Sequence, residues 1–183
     1  AVADKVRRAV TAVQNGVDIV IALPYIYSTQ SATWFAHGAV SLMKLAGVDY
    51  ISFGSECANL ENLQEIADTS VNPDHLHVSM ETGMSFPKAY SLLTTAMRPN
   101  DILAVSYLKE IAGTDIKPVL IPRTSDYSDD TMQEVSSALA IRTALKEHRS
   151  VAGQTPMSEL MEEDIPWMEQ YYPYLRTFLL LSN

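Results

Sequence analysis

Residues 50–67 read YISFGSECANLENLQEIA: a short apolar run stops at Gly54 and the chain resumes with helical spacing. This junction decides the fold, because β-branched and aromatic residues ahead of a glycine mark a buried strand, and the pattern after it marks a helix. With only seven glycines in 183 residues, a glycine at a strand end needs a reason. Without a Cβ, its backbone can lie against a flat ligand or take a positive φ. A plain turn fits the local sequence equally well.

Working outward, residues 4–15 read as an amphipathic helix closed by Gly16. VDIVIALP, at 17–24, is β-branched and bounded by Gly16 and Pro24, which predicts a buried strand. Residues 31–46 put Ala32, Phe35, Ala36, Ala39, Leu42, Met43 and Ala46 at helical spacing, with Gly47 as the stop. VDYISF, at 48–53, is the next strand. Strand, helix and strand in succession form a βαβ unit and call for a parallel sheet.

Beyond it the pattern predicts a helix over 60–67 and an aperiodic stretch over 68–85. Helices follow at 86–97 and 101–111, with Asn100 or Asp101 as N-cap of the second. IKPVLIPR at 116–123 is a third strand and TSDYSDD at 124–130 a polar loop. SSALAIRTALKEH at 136–148 starts a helix with serines, and 156–181 is helical in pattern. The fold class expected is α/β, a parallel sheet flanked by helices. Residues 1–150 form its main domain and 151–183 the start of a helical region.

The net charge is −9, with 47% hydrophobic and 19% charged residues. That composition suits a globular chain. It argues against these residues alone clamping a nucleic acid, whose affinity comes largely from Lys and Arg. Cys57 is the single cysteine, so no internal disulfide forms and a reducing, cytoplasmic compartment is expected. No uncharged apolar run reaches the length of a membrane span.

Ligands of open parallel sheets bind beyond the carboxyl ends of the strands. There Gly54 offers its bare backbone, and Arg123 a planar charged fork suited to phosphate. Ser136 and Ser137 precede a helix whose free N–H groups form an anion site, and Arg142 lies one to two turns in. Asn100, at a helix start, is placed to donate to a ribose or base. Arg123 also reads as a surface ion-pair partner, and the serines as ordinary caps. His75 and His77 have no cysteine or further histidine near in sequence and predict no metal site, while His37 lies in a helical stripe. No Walker-type loop, Gly-x-Ser-x-Gly or Gly-x-Gly-x-x-Gly occurs.

Seven collinear stretches together resemble one family, the bacterial tRNA(Met) cytidine acetate ligases. They are DKVRRAVTAVQNGVDIVIALP, QSATWFAHGAV, GVDYISFGSE, GMSFPKAY, RPNDILAVSYLKEI, IPRTSDYSDD and SSALAIRTAL. The resemblance implies a Rossmann-like nucleotidyltransferase-type domain that forms acetyl-adenylate from acetate and ATP, with Mg²⁺. It then implies acetylation of N4 of the wobble cytidine of elongator tRNA(Met), bound through regions outside these residues. Carried over by position, the implied ATP contacts are Gly54, Asn100 and Arg123, supported by Ser137 and Arg142, with Lys5 at a basic position nearby. It assigns no catalytic side chain.

The sequence departs from the family at Val6, Ala22, Ser128 and Leu139, where Trp, Glu, His and a hydroxyl residue are usual. The family's His-x-Gly-His segment belongs ahead of residue 1, in a strand central to the sheet. The chain therefore reads as a fragment, inactive alone, marginally stable or prone to associate. Two alternatives stand beside the ligase: an adenylyltransferase acting on a small molecule, and a non-catalytic nucleotide- or RNA-binding relative.

Overall fold

The computed structural model describes residues 3–69, 81, 83, 97–123, 130–132, 135–158, 165 and 167–181. All but Met97 of the expected helix at 86–97 and most of the polar loop at 124–130 lie outside them. So does most of the aperiodic stretch with His75 and His77. The chain forms two compact units, one of Leu23–Asp126 and the other of Ala1–Ala22 with Tyr127–Asn183.

In the Leu23–Asp126 unit, α2 (Tyr25–Ser28) and α3 (Ala32–Ala46) precede β1 (Tyr50–Ser55). Next come α4 (Leu60–Asp68), α5 (Pro99–Ile111) and β2 (Lys117–Pro122). Gly47 ends α3 in the left-handed region at φ 69°, where a Cβ would be strained. The stripe that α3 buries is Ala36 and Val40, with Met43 packed against the core. Ala46, expected in the stripe, is exposed.

Helix α5 packs on α3, α4 and β1 and gives the core half its residues: Ile102, Ala104, Val105, Leu108 and Ile111. Ile51 and Phe53 of β1, Val40 of α3, Leu63 of α4 and Met97 complete it. The buried Leu63 and Leu108 are the kind of contact whose truncation costs about 2–5 kcal/mol. Where α2 meets α3 the chain needs a glycine for space. A Cβ on Gly38 would stand 2.4 Å from Cγ of Tyr27.

The sheet is parallel, as expected, but the pair that makes it is β1 with β2, in register from Tyr50↔Lys117 to Ser55↔Pro122. The strand expected at 17–24 does not form: no ladder reaches it among the described residues, and Ile19 is 75% exposed. β-branched composition suits a pleated surface, but a strand exists only where another supplies the hydrogen bonds. The βαβ reading of 17–53 falls with it. The parallel crossover runs instead from β1 through α4 and α5 to β2.

The ladder also fixes which backbone groups point where. Lys117 N donates to Asp49 O at 2.9 Å and Arg123 N to Ser55 O at 3.0 Å. Backbone groups alternate sides along a strand, so Lys117, Val119, Ile121 and Arg123 face β1. Pro118, Leu120 and Pro122 then face away on β2, and Tyr50, Ser52 and Gly54 face away on β1.

In the other unit, α1 (Lys5–Gln14) is capped by Asp4, whose Oδ1 accepts from Val6 N and Arg7 N at 2.8 and 3.0 Å. The hydrogen bond from the Arg7 backbone, ahead of the Arg7 charge, holds the Asp4 carboxyl below its ordinary pKa. Gly16 follows the helix at φ 97°. Helix α6 (Ala138–Lys146) buries Ala140 and Ala144, and α7 spans Met168–Leu181 with Pro173 inside it. The helix expected over 156–181 is thus shorter at its start, since Pro156 and Met157 form a turn.

Candidate nucleotide site at the strand ends

Strand β1 alternates exposed and buried residues, sending Ile51, Phe53 and Ser55 inward and Tyr50, Ser52 and Gly54 outward. Ser55 is fully buried under the first turn of α5, and there it meets Asp101, 6% exposed. The Ser55 hydroxyl donates to Asp101 Oδ1, which also accepts from Cys57 N at 2.9 Å. Asp101 Oδ2 accepts from Arg98 N at 3.2 Å. Three donors therefore satisfy a buried carboxylate, which ties the N-terminus of α5 to the end of β1.

Arg98, not Asn100 or Asp101, is the N-cap of α5. Pro99 explains the shift. Its ring disfavours helical geometry in the residue before it, so Arg98 is extended at ψ 165° and the helix starts at Pro99 itself. Asn100 lies in the first turn, with its Nδ2 donating to Glu56 Oε1 at 2.6 Å. Glu56 Oε2 is buried and takes no hydrogen bond among the described residues.

Gly54 lies inside β1, paired with Ile121, and its φ is not positive. Neither a turn nor the left-handed region explains it. A Cβ there would meet Cγ of Arg123 at 3.6 Å and Ile121 O at 3.9 Å, both ordinary contacts. The fold itself thus has room for a side chain at 54. The Arg123 stem lies beside this bare, outward-facing backbone at the carboxyl end of β2.

The structure thus brings Gly54 together with Arg123, and Asn100 with Glu56, the residue just after β1. Lys5, Ser137 and Arg142 belong to the other unit. There Ser137 N-caps α6, accepting from Ala140 N at 3.0 Å, as its position predicted. Lys5 opens α1, and both it and Arg142 are exposed. His37 pairs with Glu110 at 3.0 Å on the outside of α3. Its edge contact with Trp34 fits the structural role expected of it.

Sequence reasoning missed Glu56, Asp101 as a buried tie, and Ser55. The signal available was an acid directly after a strand-ending Gly-Ser pair; its partner lies 44 residues away. Among the described residues no three His, Cys, Asp or Glu side chains converge as a metal site. No described helix is long and apolar enough to cross a membrane.

Comparison with known proteins meets this geometry. The tRNA(Met) cytidine acetate ligase of Streptococcus equi subsp. zooepidemicus (strain H70) is 33% identical over 196 residues, covering 100% of this chain and 53% of that protein. The tRNA(Met) cytidine acetate ligase of Clostridium botulinum (strain Loch Maree / Type A3) is 36% identical over 174 residues, covering 81% and 42%. The chain spans about half the length of the curated relatives it matches.

The crystal structure of Thermotoga maritima TmcAL bound with alpha-thio ATP superimposes with a TM-score of 0.68 at 32% identity, covering 84% of this chain and 41% of that one. This likeness places the β1–β2 sheet and its flanking helices in a nucleotidyltransferase-type α/β fold. The HIGH Nucleotidyl Transferase family model matches residues 1–183, and the chain belongs to that family.

Proposed function

We propose that this chain is part of an ATP-dependent ligase that activates acetate as acetyl-adenylate and acetylates N4 of the wobble cytidine of elongator tRNA(Met). The observation that carries the reading is Gly54. The fold leaves room for a side chain there, yet the backbone stands bare beside Arg123 at the strand ends. A planar base lying against that backbone accounts for the glycine, and the guanidinium supplies a charged fork to the phosphates. The relatives' names and the alpha-thio ATP in the Thermotoga maritima structure support the same nucleotide.

Attack of an acetate oxygen on the α-phosphorus forms acetyl-adenylate and releases pyrophosphate. That step needs alignment and charge neutralisation more than a protein nucleophile. Arg123 neutralises phosphate charge in this reading, while Gly54 and Asn100 hold the nucleoside. The family resemblance gives Ser137, Arg142 and Lys5 supporting roles in holding ATP. Mg²⁺ bound with ATP would add further neutralisation of phosphate charge beside that of Arg123; among the described residues no His, Cys, Asp or Glu cluster is placed to hold it. The proposal includes the division into a nucleotide-binding domain over 1–150 and a helical region beginning at 151, a cytoplasmic setting, and tRNA contacts made by other parts of the protein.

Acetate-dependent release of pyrophosphate from ATP, followed by acetyl transfer to tRNA(Met), tests the reaction. Arg123→Ala is expected to weaken ATP binding by about 1–3 kcal/mol, the range for a hydrogen bond to a charged group. Unchanged affinity would remove Arg123 from the site. Pyrophosphate release without acetate would favour the small-molecule adenylyltransferase instead.

A further inference from the structure

Resting on the ATP reading above, we infer that Glu56 is a positioning residue. It holds the Asn100 amide nitrogen inward, so that Asn100 Oδ1 accepts a hydrogen bond from a donor on the nucleoside. An ionised carboxylate only accepts, so the end of the Asn100 amide that meets Glu56 Oε1 at 2.6 Å must be its NH₂. This orientation follows from chemistry rather than from the placement of nitrogen and oxygen. The carbonyl end of Asn100 then points elsewhere, and it takes no hydrogen bond from any described residue.

Two further features lock the arrangement. Glu56 Oε2 is buried without a partner, so among the described residues Asn100 is the donor that the Glu56 side chain has. Giving it up would leave a second carboxylate oxygen unsatisfied. The backbone of the next residue is also pinned, because Cys57 N donates to Asp101 Oδ1 at 2.9 Å, one position along α5 from Asn100. Glu56 and Asn100 are therefore tied together at neighbouring positions on both segments. The carboxylate also makes this end of the site unfavourable for phosphate, which assigns the nucleoside to the Glu56–Asn100 end and the phosphates to Arg123.

The donor that Asn100 Oδ1 receives is either the exocyclic amine of the base or a ribose hydroxyl, and nucleotide analogues separate the two. ATP, ITP, 2′-deoxy-ATP and 3′-deoxy-ATP are titrated into the wild-type protein and into Asn100→Ala. The analogue lacking the donor is expected to bind the wild type about tenfold or more weaker than ATP. It is expected to bind Asn100→Ala as well as ATP does. A purely structural Asn100 would weaken all four nucleotides equally, and that outcome overturns the inference.

Exchanging the amide and the carboxylate between the two positions gives an independent test. Asn100→Asp sets two carboxylates face to face and should lower ATP affinity. Adding Glu56→Gln restores one N–H···O bond in the opposite sense and still leaves an oxygen outward, so affinity should return. A folded double variant that binds no better than folded Asn100→Asp refutes the positioning role while leaving the ATP reading intact. Failure of ATP to bind the wild type removes both. If Asn100→Asp does not fold, the analogue series on Asn100→Ala decides alone.

Discussion

Replacing Gly54 with alanine separates what the fold needs from what a ligand needs. In the structure, the new methyl group meets Cγ of Arg123 at 3.6 Å and Ile121 O at 3.9 Å, distances that cost nothing. The backbone at 54 is extended and paired in the ladder, so alanine adopts it without strain. Alanine also restricts the unfolded chain more than glycine does, which favours the folded state by about 0.4–1 kcal/mol. The variant should therefore melt at or slightly above the wild-type temperature.

ATP binding should move the other way. The methyl group occupies the outward face against which the base is proposed to lie, and displacing a packed group costs about 1–3 kcal/mol. That is roughly a five- to 150-fold rise in Kd. Calorimetric titration of ATP, paired with a thermal melt of the same samples, reads both quantities. Equal Kd values would show that nothing packs on Gly54. A clear loss of stability would show instead that the glycine serves the fold and that its surroundings are tighter than described.

Gly38→Ala is expected to destabilise by about 1–3 kcal/mol, since its methyl group would stand 2.4 Å from Tyr27 Cγ. A denaturant melt measures it, and adding Tyr27→Ala should recover part of the loss. Asp101→Ala removes the acceptor of Ser55 Oγ and Arg98 N and leaves Cys57 N only its 3.1 Å bond to Ser55 Oγ, and should cost about 2–4 kcal/mol, at 1–3 per buried unsatisfied group and some rescue by water. Little change in the melt would mean that α5 is not anchored to β1 through this carboxylate.

Burial raises the pKa of Tyr107 above its usual value, so the folded state holds its proton more tightly than the unfolded state. The stabilisation is complete below the unfolded pKa, about 10, and is lost as pH climbs through the folded value. Unfolding free energy should begin to fall near pH 10 and level off once the folded value is passed, and Tyr107→Phe should flatten the decline.

The elements that could be read from the sequence are those with both a local pattern and a local stop. Helix α3 has its spacing and Gly47, α6 has its Ser137 cap, and β1 and β2 have apolar runs bounded by glycine or proline. The segment at 17–24 has the same kind of run, but a strand depends on a neighbour that composition does not reveal. The N-cap of α5 was misplaced because the constraint of Pro99 on Arg98 outweighs the capping preference of Asn and Asp.

In the candidate site, the placement of Gly54 beside Arg123 was legible, because both lie at strand ends and the parallel register sets them side by side. The partnership of Glu56 with Asn100 was not, since neither residue is unusual in its own sequence context. The contact exists only after α5 has been tied to β1 through Asp101.

The two prolines of β2 have a consequence for how the sheet can grow. Pro118 and Pro122 face away from β1 and have no N–H to offer, so a strand approaching that side would find a single donor, at Leu120. One amide does not nucleate a ladder, and β2 is closed to edge-to-edge association. Growth is therefore one-sided: any further strand must add to β1, whose outward amides run through Tyr50, Ser52 and Gly54. The backbone edge that would accept a new strand thus ends in the glycine that faces the proposed nucleotide. Whatever pairs with β1 there also forms a wall of the proposed site, and mutations that weaken that pairing should appear as binding defects before they appear as folding defects.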